Sequence, residues 1–173
     1  MVNKIYIVGP VGGGKSTLAR KLSKEFGLVY CELDSIIYEP DPTSLTRNRK
    51  RSEAERDSLL NRVLSNEKWV VEDAGRAIFE VVRQKADSII LLEPPLSVRK
   101  HRIILRWVKQ MLRLEKCGYR PGLYMLKLMF KWTKNYELGL DGLKDRLIPY
   151  KHKIALLQTE KDIKRYISEN FAV

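Results

Sequence analysis

Residues 5–22 of the chain read IYIVGPVGGGKSTLARKL. An apolar run at 5–8 passes directly into a glycine-rich segment and then into a stretch with helical character. Residues 9–16 fit the pattern G-x-x-x-x-G-K-[ST] between a predicted strand and a predicted helix. Glycines let such a loop wrap with its N–H groups pointing inward, and the helix start adds the positive end of its dipole. The stretch therefore predicts a phosphate-binding loop of the Walker A type.

Each polar residue of this loop has an expected task. Lys15 is expected to reach the β- and γ-phosphates of a nucleoside triphosphate, and the Ser16 hydroxyl is expected to bind Mg²⁺. Thr17 is expected to contact the α-phosphate side of the loop. The full set of predicted nucleotide-binding residues is Gly9, Gly12, Gly13, Gly14, Lys15, Ser16 and Thr17.

The size and composition of the chain predict one domain. It has 173 residues, 44% of them hydrophobic, and no linker, repeat or low-complexity tract divides residues 1–173. No run of about 18 apolar residues occurs, so no membrane span is expected. The N-terminus has no secretory signal pattern, and Cys31 and Cys117 lack a metal or redox spacing. We therefore expect free thiols and a cytoplasmic protein.

The order of predicted elements indicates an α/β fold. Short apolar runs rich in β-branched and aromatic residues predict strands at 4–8, 28–33, 69–72, 88–92 and 153–157. Their continuous apolar character is typical of parallel strands that are buried on both faces. Helical patterns lie between them, at 15–26, 52–64, 96–114, 123–136 and 161–169. Strands that alternate with helices predict a doubly wound parallel sheet.

Two carboxylates follow predicted strands at the edge where an open α/β sheet binds its ligands. Asp73 ends the run WVVE, and we expect it to orient Mg²⁺ together with Ser16. Asp34 is expected to accept the proton of a substrate hydroxyl or to hold the acceptor. The alternative for both acids is an ordinary surface position or a helix cap.

Three arginines lie in the helix after the fourth strand. Arg102 and Arg106 are four residues apart and so share one face, whereas Arg99 lies one turn before. Two guanidinium groups on one face are suited to clamp a transferring phosphoryl group and to stabilise its charge. The alternative is a set of exposed helix arginines without a ligand.

The remaining motifs favour a small phosphotransferase. A switch GTPase would carry a guanine-reading N-K-x-D after a later strand, and the chain has none. An ATP-driven motor would normally need a longer chain and a D-E pair after a strand. A short, compact P-loop domain instead suits phosphoryl transfer to a small acceptor.

Taken together, these motifs resemble the adenylate-kinase and shikimate-kinase group of P-loop kinases. The resemblance rests on GPVGGGKSTLARKL at 9–22, on the pair Leu33-Asp34, on Asp73 with a glycine and an arginine behind it, and on Arg102-x-x-x-Arg106. Within this group the chain is most similar to the FlaR-like DNA topology modulation proteins. That finer likeness rests on residues 69–73, 86–94 and 132–136.

The resemblance implies a P-loop three-layer sandwich with a five-stranded parallel sheet of order 2-3-1-4-5. It further implies a helical lid at about 107–136, Mg-ATP as phosphoryl donor, and a loop around Gln158 and Thr159 that passes near the adenine. One stretch departs from the family, because Asp-Ala-Gly-Arg at 73–76 replaces D-G-N-Y or D-G-[FY]-P-R. Arg76 is still expected at an acceptor phosphate, but the shifted frame leaves the acceptor undefined.

The formal net charge of +12 is concentrated in one basic arm. Residues 99–134 contain eleven lysines and arginines and a single acid, Glu115. As a lid, this arm would bring Arg113 or Arg120 to the phosphates and exclude water. As a surface of lysines and aromatic rings, it would bind single-stranded nucleic acid. The helical spacing of the apolar residues at 123–136 favours a third interpretation, ordinary core packing.

Three functions follow from these interpretations. The leading one is a Mg-ATP-dependent kinase for a nucleotide or small molecule. The second is a nucleotide-gated regulator that binds nucleic acid through the basic arm. The third is an inactive kinase-like protein that serves as a binding module, and the shifted residues after Asp73 are its support.

Overall fold

A computed structural model describes residues 2–44, 48–115, 117, 119 and 121–171. Five strands form one parallel sheet: β1 (Lys4–Val8), β2 (Val29–Glu32), β5 (Trp69–Asp73), β6 (Ser88–Leu92) and β7 (Ile154–Leu157). A separate antiparallel hairpin consists of β3 (Tyr38–Pro40) and β4 (Asn48–Lys50). The sequence patterns did not predict this hairpin.

Helices cover both faces of the sheet. They are α1 (Lys15–Phe26), α2 (Leu33–Ile37), α3 (Glu53–Leu64), α4 (Glu80–Lys85), α5 (Leu96–Met111), α6 (Leu123–Glu137), α7 (Leu143–Leu147) and α8 (Glu160–Phe171). Two 3₁₀ segments lie at Ala77–Phe79 and Ile148–Lys153. The predicted α/β class and its three layers are confirmed.

The strand order of the large sheet is β2-β5-β1-β6-β7. When only the strands of this sheet are numbered, that order reads 2-3-1-4-5. The labels differ from the predicted ones because the β3–β4 hairpin lies between the second and third strands of the sheet. The strand that leads into the glycine-rich loop is therefore central, with β5 on one side and β6 on the other.

The two faces of the sheet bury separate clusters of side chains. On one face Tyr6, Trp69 and Ile89 pack with α2, α3 and α7, whereas on the other Val70 and Ile90 pack with α1 and α8. All five residues of β5 and of β6 are buried. Strands covered on both faces in this way explain the unbroken apolar runs in the sequence.

Several element boundaries follow from local chemistry. Ser52 caps α3 in a capping box with Glu55, and Gly27 ends α1 with a φ of 68°. The predicted helix at 96–114 ends earlier, at Met111, because Arg113 adopts a φ of 58° that no α-helix accommodates.

Among the described ranges of the chain, no helix is long and apolar enough to cross a bilayer.

Candidate active site

The glycine-rich loop lies where β1 ends, between β6 and the start of α1. Gly9 has a φ of 147°, and a Cβ placed there would lie 2.3 Å from the carbonyl oxygen of Leu92. Gly12 has a φ of 76°, and its Cβ would lie 2.7 Å from the carbonyl oxygen of Arg99. Both backbone conformations and both close approaches require glycine. The loop is thus held tightly against β6 and α5.

Lys15 is the first residue of α1, and its side chain folds back over the loop. Its Nζ donates to the carbonyl oxygens of Gly9, at 2.9 Å, and Pro10, at 3.1 Å. Burial lowers the pKa of Lys15, although the nearby carboxylates of Glu72 and Asp73 act in the opposite direction. The ammonium group is therefore held at the centre of the loop, close to acidic side chains.

The carboxylate beside Ser16 belongs to Glu72. The Ser16 Oγ donates to Glu72 Oε1 at 2.6 Å, and the Tyr30 hydroxyl lies 3.5 Å from the same oxygen. Oxygen ligands of this kind, a hydroxyl and a carboxylate at the phosphate-binding loop, are those that Mg²⁺ prefers. The residues present fit the cation that the sequence predicted at Ser16.

Asp73, which the sequence assigned to Mg²⁺ with Ser16, has other partners. Its Oδ2 accepts the backbone N–H groups of Gly75, at 2.7 Å, and Arg76, at 2.6 Å, and its Oδ1 pairs with the Arg76 guanidinium. Its side chain is fully buried. Both oxygens are engaged in the turn that follows β5, whereas the carboxylate that accepts the Ser16 hydroxyl belongs to Glu72.

Asp34 and Arg76, predicted on the acceptor side, contact each other. The Arg76 Nη2 donates to Asp34 Oδ1 at 2.5 Å, while Nη1 of the same guanidinium pairs with Asp73. Burial lowers the pKa of Arg76, but the Asp73 and Asp34 carboxylates raise it by more, so the net shift is upward. The carboxyl end of β2 and the turn after β5 are thereby joined by one guanidinium group.

The three arginines of α5 have different environments. Arg102 Nη1 donates to the carbonyl oxygen of Gly13 at 3.0 Å, so this side chain lies against the loop. Arg106 points towards the same cavity and contacts Met129 Sδ at 3.7 Å through Nη2. Arg99, in contrast, is only 2% exposed. It therefore serves packing between helices.

Arg99 joins α5 to α6. Its Nε donates to the Pro94 carbonyl at 2.9 Å, its Nη2 pairs with Glu137, and its guanidinium lies 5.5 Å from the centre of the Tyr136 ring. The Tyr136 hydroxyl in turn donates to Glu93 at 2.7 Å. This network fixes the C-terminal end of α6 to the end of β6.

A cavity of about 950 Å³ opens beside the loop. Its wall includes the start of α1, the inner face of α5 and the beginning of α8. The residues that matter here are Gly12, Gly13, Gly14, Lys15, Ser16, Thr17, Arg102, Arg106, Gln158 and Thr159. The loop after β7, which the resemblance placed near the adenine, therefore shares one cavity with the phosphate-binding loop.

Glu32 is a partly buried acid in the wall of the same cavity. Burial raises its pKa, and the nearby Glu72 and Asp34 carboxylates raise it further. Because the pKa is higher in the folded than in the unfolded chain, the stability that Glu32 contributes is complete below the unfolded value of about 4.3. That stability is lost as the pH rises through the folded value.

Replacing Glu32 by glutamine is therefore expected to stabilise the protein at pH 7. Relief of like-charge repulsion on the order of 1 kcal/mol would raise the melting temperature by about 2–4 °C for a domain of this size. The gain should shrink towards zero at pH 3.5, which urea unfolding at the two pH values would measure. Glu25→Gln, an exposed position on α1, is the matched control. An equal gain at both pH values would contradict the argument.

The basic arm divides into a buried face and an exposed face. In α6, Met129, Thr133 and Tyr136 are buried, whereas Leu123 at the start of the predicted core stripe is 66% exposed. Trp132 is 43% exposed on the other face, which also carries the exposed lysines Lys127, Lys131 and Lys134. Because Tyr136 packs inward, the aromatic set predicted for base stacking is divided between the two faces.

Two arginines, Arg113 and Arg120, were predicted to reach the phosphates from the lid, and only the first is among the described residues. Arg113 lies in the turn after α5. Arg120 lies outside the described residues. The sequence interpretation assigned no role to Glu72, whose carboxylate lies 2.6 Å from the Ser16 hydroxyl.

No protein-family model matches the chain, and no curated protein is detectably similar to it in sequence. Solved structures do match. The shikimate kinase from Acinetobacter baumannii in complex with shikimate is 20% identical, over 100% of this chain and 97% of that one, with a TM-score of 0.52. The fold is that of the P-loop kinases.

Two further structures support the same fold. The deoxyadenosine kinase from M. mycoides with bound dATP is 14% identical over 96% of this chain and 98% of that one, with a TM-score of 0.56. A gluconokinase from Sinorhizobium meliloti 1021 is 17% identical over 96% and 88% of the two chains, with a TM-score of 0.55. At these identities the likeness extends to the P-loop kinase fold and not to a particular acceptor.

Proposed function

We propose that the chain is a Mg-ATP-dependent phosphotransferase of the adenylate-kinase-like group, which transfers the γ-phosphate to a hydroxyl group of a small-molecule or nucleotide acceptor. The observation that carries this proposal is the convergence of Lys15, Ser16 and Arg102 on one cavity that also reaches Gln158 and Thr159. The motifs at 69–73, 86–94 and 132–136 support a relation to the FlaR-like proteins. Free Cys31 and Cys117 suit a cytoplasmic protein.

The donor side binds and orients the triphosphate. Backbone N–H groups of the loop and the start of α1 face the phosphates, with Gly14 immediately before the first turn. Lys15 exchanges its two carbonyl partners, Gly9 and Pro10, for the β- and γ-phosphate oxygens. Arg102 and Arg106 approach from α5 and stabilise charge on the transferring group, as phosphoryl transfer requires.

Ser16 and Glu72 would hold the magnesium ion. When bound, Mg²⁺ neutralises charge on the β- and γ-phosphate oxygens. The chain itself contributes the position of the two oxygen ligands, because Ser16 begins α1 and Glu72 lies near the end of β5. Tyr30 lies 3.5 Å from Glu72 on the side of β2.

The acceptor side supplies a base. Asp34, with a side chain 54% exposed, accepts the proton of the attacking hydroxyl group. The acceptor oxygen forms a bond to the γ-phosphorus atom, the bond from that phosphorus to the bridging oxygen breaks, and ADP leaves. Arg76 orients Asp34 through their ion pair.

A change of Glu72 to glutamine is expected to weaken Mg²⁺-dependent ATP binding. Loss of a carboxylate that orients a metal ligand typically costs about 10- to 100-fold in metal affinity. Titration of Mg²⁺ at fixed ATP would measure the half-saturating concentration. Glu25→Gln should leave that concentration unchanged, and Asp73→Asn should leave it closer to wild type than Glu72→Gln does. A larger shift in Asp73→Asn would return the metal role to Asp73.

The wild-type protein itself provides the test of the proposed function. We would measure ATP binding by calorimetry, and ATP consumption with a panel of nucleosides, nucleoside monophosphates and hydroxylated metabolites. Consumption that requires both Mg²⁺ and one class of acceptor, and that EDTA abolishes, is the expected result. Failure to bind ATP in the presence of Mg²⁺ would overturn the proposal.

A further inference from the structure

The charged groups around Asp34 and the turn at 73–76 are arranged differently from those around the phosphate-binding loop. We use the name acceptor edge for Asp34, the turn at 73–76 and helix α7, which packs against that turn. Helix α7 is part of it because a Cβ on Gly75 would lie 2.2 Å from Leu143 Cδ1, and Arg146 Nε donates to the Gly75 carbonyl at 3.0 Å. The acceptor edge is therefore a defined and closely packed surface.

Arg76 is the cation predicted to bind a phosphate of the acceptor, but two carboxylates already use it. Its Nη1 pairs with Asp73 and its Nη2 with Asp34. One positive charge between two negative charges leaves a net charge of about −1 at this point. A phosphate group that used the remaining N–H donors of Arg76 would meet the negative charge of both carboxylates, and displacing Asp73 would leave a fully buried carboxylate without its cation. An unpaired buried carboxylate is strongly unfavourable.

The other arginines in and near the acceptor edge are engaged by backbone carbonyls, and two of them also by carboxylates, Arg51 by Glu39 and Arg83 by Glu80. Arg51 Nη1 lies within hydrogen-bond distance of the carbonyl oxygens of Ser35, Ile36 and Tyr38 in and after α2. Arg83, 1% exposed, donates to the carbonyl oxygens of Arg76 and Ala77, and Arg146 donates to those of Gly75 and Asp141. These guanidinium groups stabilise the turn and the short helix.

The donor side has the opposite character. Arg102 makes a contact with a loop carbonyl, Arg106 contacts the Met129 sulfur, and both face the cavity that holds Lys15. Lys21 and Lys109 also line this cavity. Cationic groups on the donor side thus face the cavity, whereas the guanidinium donors at the acceptor edge are engaged by Asp34, Asp73 and backbone carbonyls.

From this asymmetry we infer that the acceptor is an uncharged hydroxyl compound, such as a sugar, polyol or nucleoside, and that phosphate monoesters are excluded by the Asp34–Arg76–Asp73 pairing. The inference rests on the proposed function and defines its substrate class. Asp34 presents a carboxylate to the acceptor hydroxyl, and Arg76 is a positioning residue that holds Asp34 from behind. The proton of the hydroxyl goes to Asp34, the γ-phosphoryl group goes to its oxygen, and ADP is released.

The first test measures binding of a phosphate monoester without any turnover. AMP would be titrated by calorimetry into the wild-type protein saturated with Mg²⁺ and a non-hydrolysable ATP analogue. We expect no binding that depends on Arg76. In Asp34→Asn, which removes one negative charge from the pairing, AMP binding should strengthen by about tenfold. Asp57→Asn, an exposed acid on α3, is the matched control and should behave as wild type.

Each outcome of this titration decides the inference. AMP binding to wild type that Arg76→Gln abolishes would overturn it, because the guanidinium would then be available to phosphate. No gain in Asp34→Asn would overturn it too, because the pairing would then not be what excludes the monoester. Absence of binding in wild type with a gain in Asp34→Asn supports it. Circular dichroism confirms that each variant is folded.

The second test compares turnover for matched acceptors. We would measure kcat/KM for adenosine against AMP and for ribose against ribose 5-phosphate. An advantage of at least about tenfold for the uncharged member of the preferred pair is expected. Preference for the phosphorylated member would overturn the inference while leaving the proposed function intact. Loss of ATP binding itself would overturn the proposed function, so the two failures are distinguishable.

Discussion

Replacing Lys15 by alanine should lower acceptor-stimulated ATP turnover by about 100- to 1,000-fold, because one preorganised cationic donor at a transferring phosphoryl group has an effect of this size. The side chain already lies over the loop, bonded to the carbonyl oxygens of Gly9 and Pro10. Burial lowers the pKa of Lys15 because it removes water from the ammonium group, whereas the nearby carboxylates act in the opposite direction and favour the charged form. A charged and poorly hydrated ammonium group is suited to bind a phosphate oxygen.

The control for this prediction lies on the same helix. Lys24→Ala removes an exposed lysine from the last turn of α1, far along the helix from the loop, and should leave turnover within about twofold of wild type. Initial rates of ADP formation and calorimetric ATP binding would be measured for both variants. Turnover by Lys15→Ala at the wild-type rate would remove Lys15 from the phosphoryl site.

Gly9→Ala is expected to destabilise the fold by about 3 kcal/mol or more. This cost has two parts, because alanine disfavours the backbone conformation at this position and its Cβ would be forced against packed structure. The added Cβ would lie 2.3 Å from the backbone oxygen of Leu92, and a backbone atom of a central strand has little freedom to move. Because β6 and the loop would have to separate, ATP binding should be lost together with stability.

Gly27→Ala is the matched comparison. Gly27 also has a positive φ, 68°, but its Cβ would meet no atom within 4 Å. The cost should therefore be only the conformational one, about 1 kcal/mol. Urea unfolding of the two variants separates the conformational cost from the contact cost. Equal losses of unfolding free energy in Gly9→Ala and Gly27→Ala would contradict this prediction, because the contact with β6 would then add no cost.

Much of the fold could be predicted from the sequence because its signals are local. The five strands of the parallel sheet are continuous apolar runs, α1 ends at a glycine, and the loop has a fixed spacing of glycines, lysine and serine. The short helices α2, α4 and α7 and the β3–β4 hairpin were missed. Helix α7 has only five residues, and its position is set by the contact of Leu143 with the turn at Gly75, far away in sequence.

The identity of the acid beside Ser16 illustrates a limit of sequence patterns. Strand β5 is buried at every position, so hydrophobic alternation cannot indicate which of two consecutive acids faces α1. The structure resolves this, because Val70 packs in the same cluster as Leu18 of α1, and Glu72 lies two residues further along the same face. Asp73 lies on the opposite face of the strand.

The Asp34–Arg76 ion pair has a similar explanation. Arg76 was predicted at the acceptor side from its place after the third strand of the sheet, which is where it lies. The Arg76 guanidinium can bridge two carboxylates because the turn at 73–76 follows a particular path. The N–H groups of Gly75 and Arg76 converge on Asp73 there, and no local pattern specifies that path.

The central position of β1 also has a consequence for how the chain folds during synthesis. Lys4 pairs with Trp69 and Ile5 with Ser88, so both hydrogen-bonding edges of β1 stay unpaired until the chain has been extended through β6. Pairings between such distant segments form slowly. The phosphate-binding loop therefore leaves the ribosome before β5 and β6 and acquires its final shape only after they have emerged. Until β5 and β6 have formed, the apolar strand β1 is unpaired, and unpaired apolar strands are segments that chaperones protect.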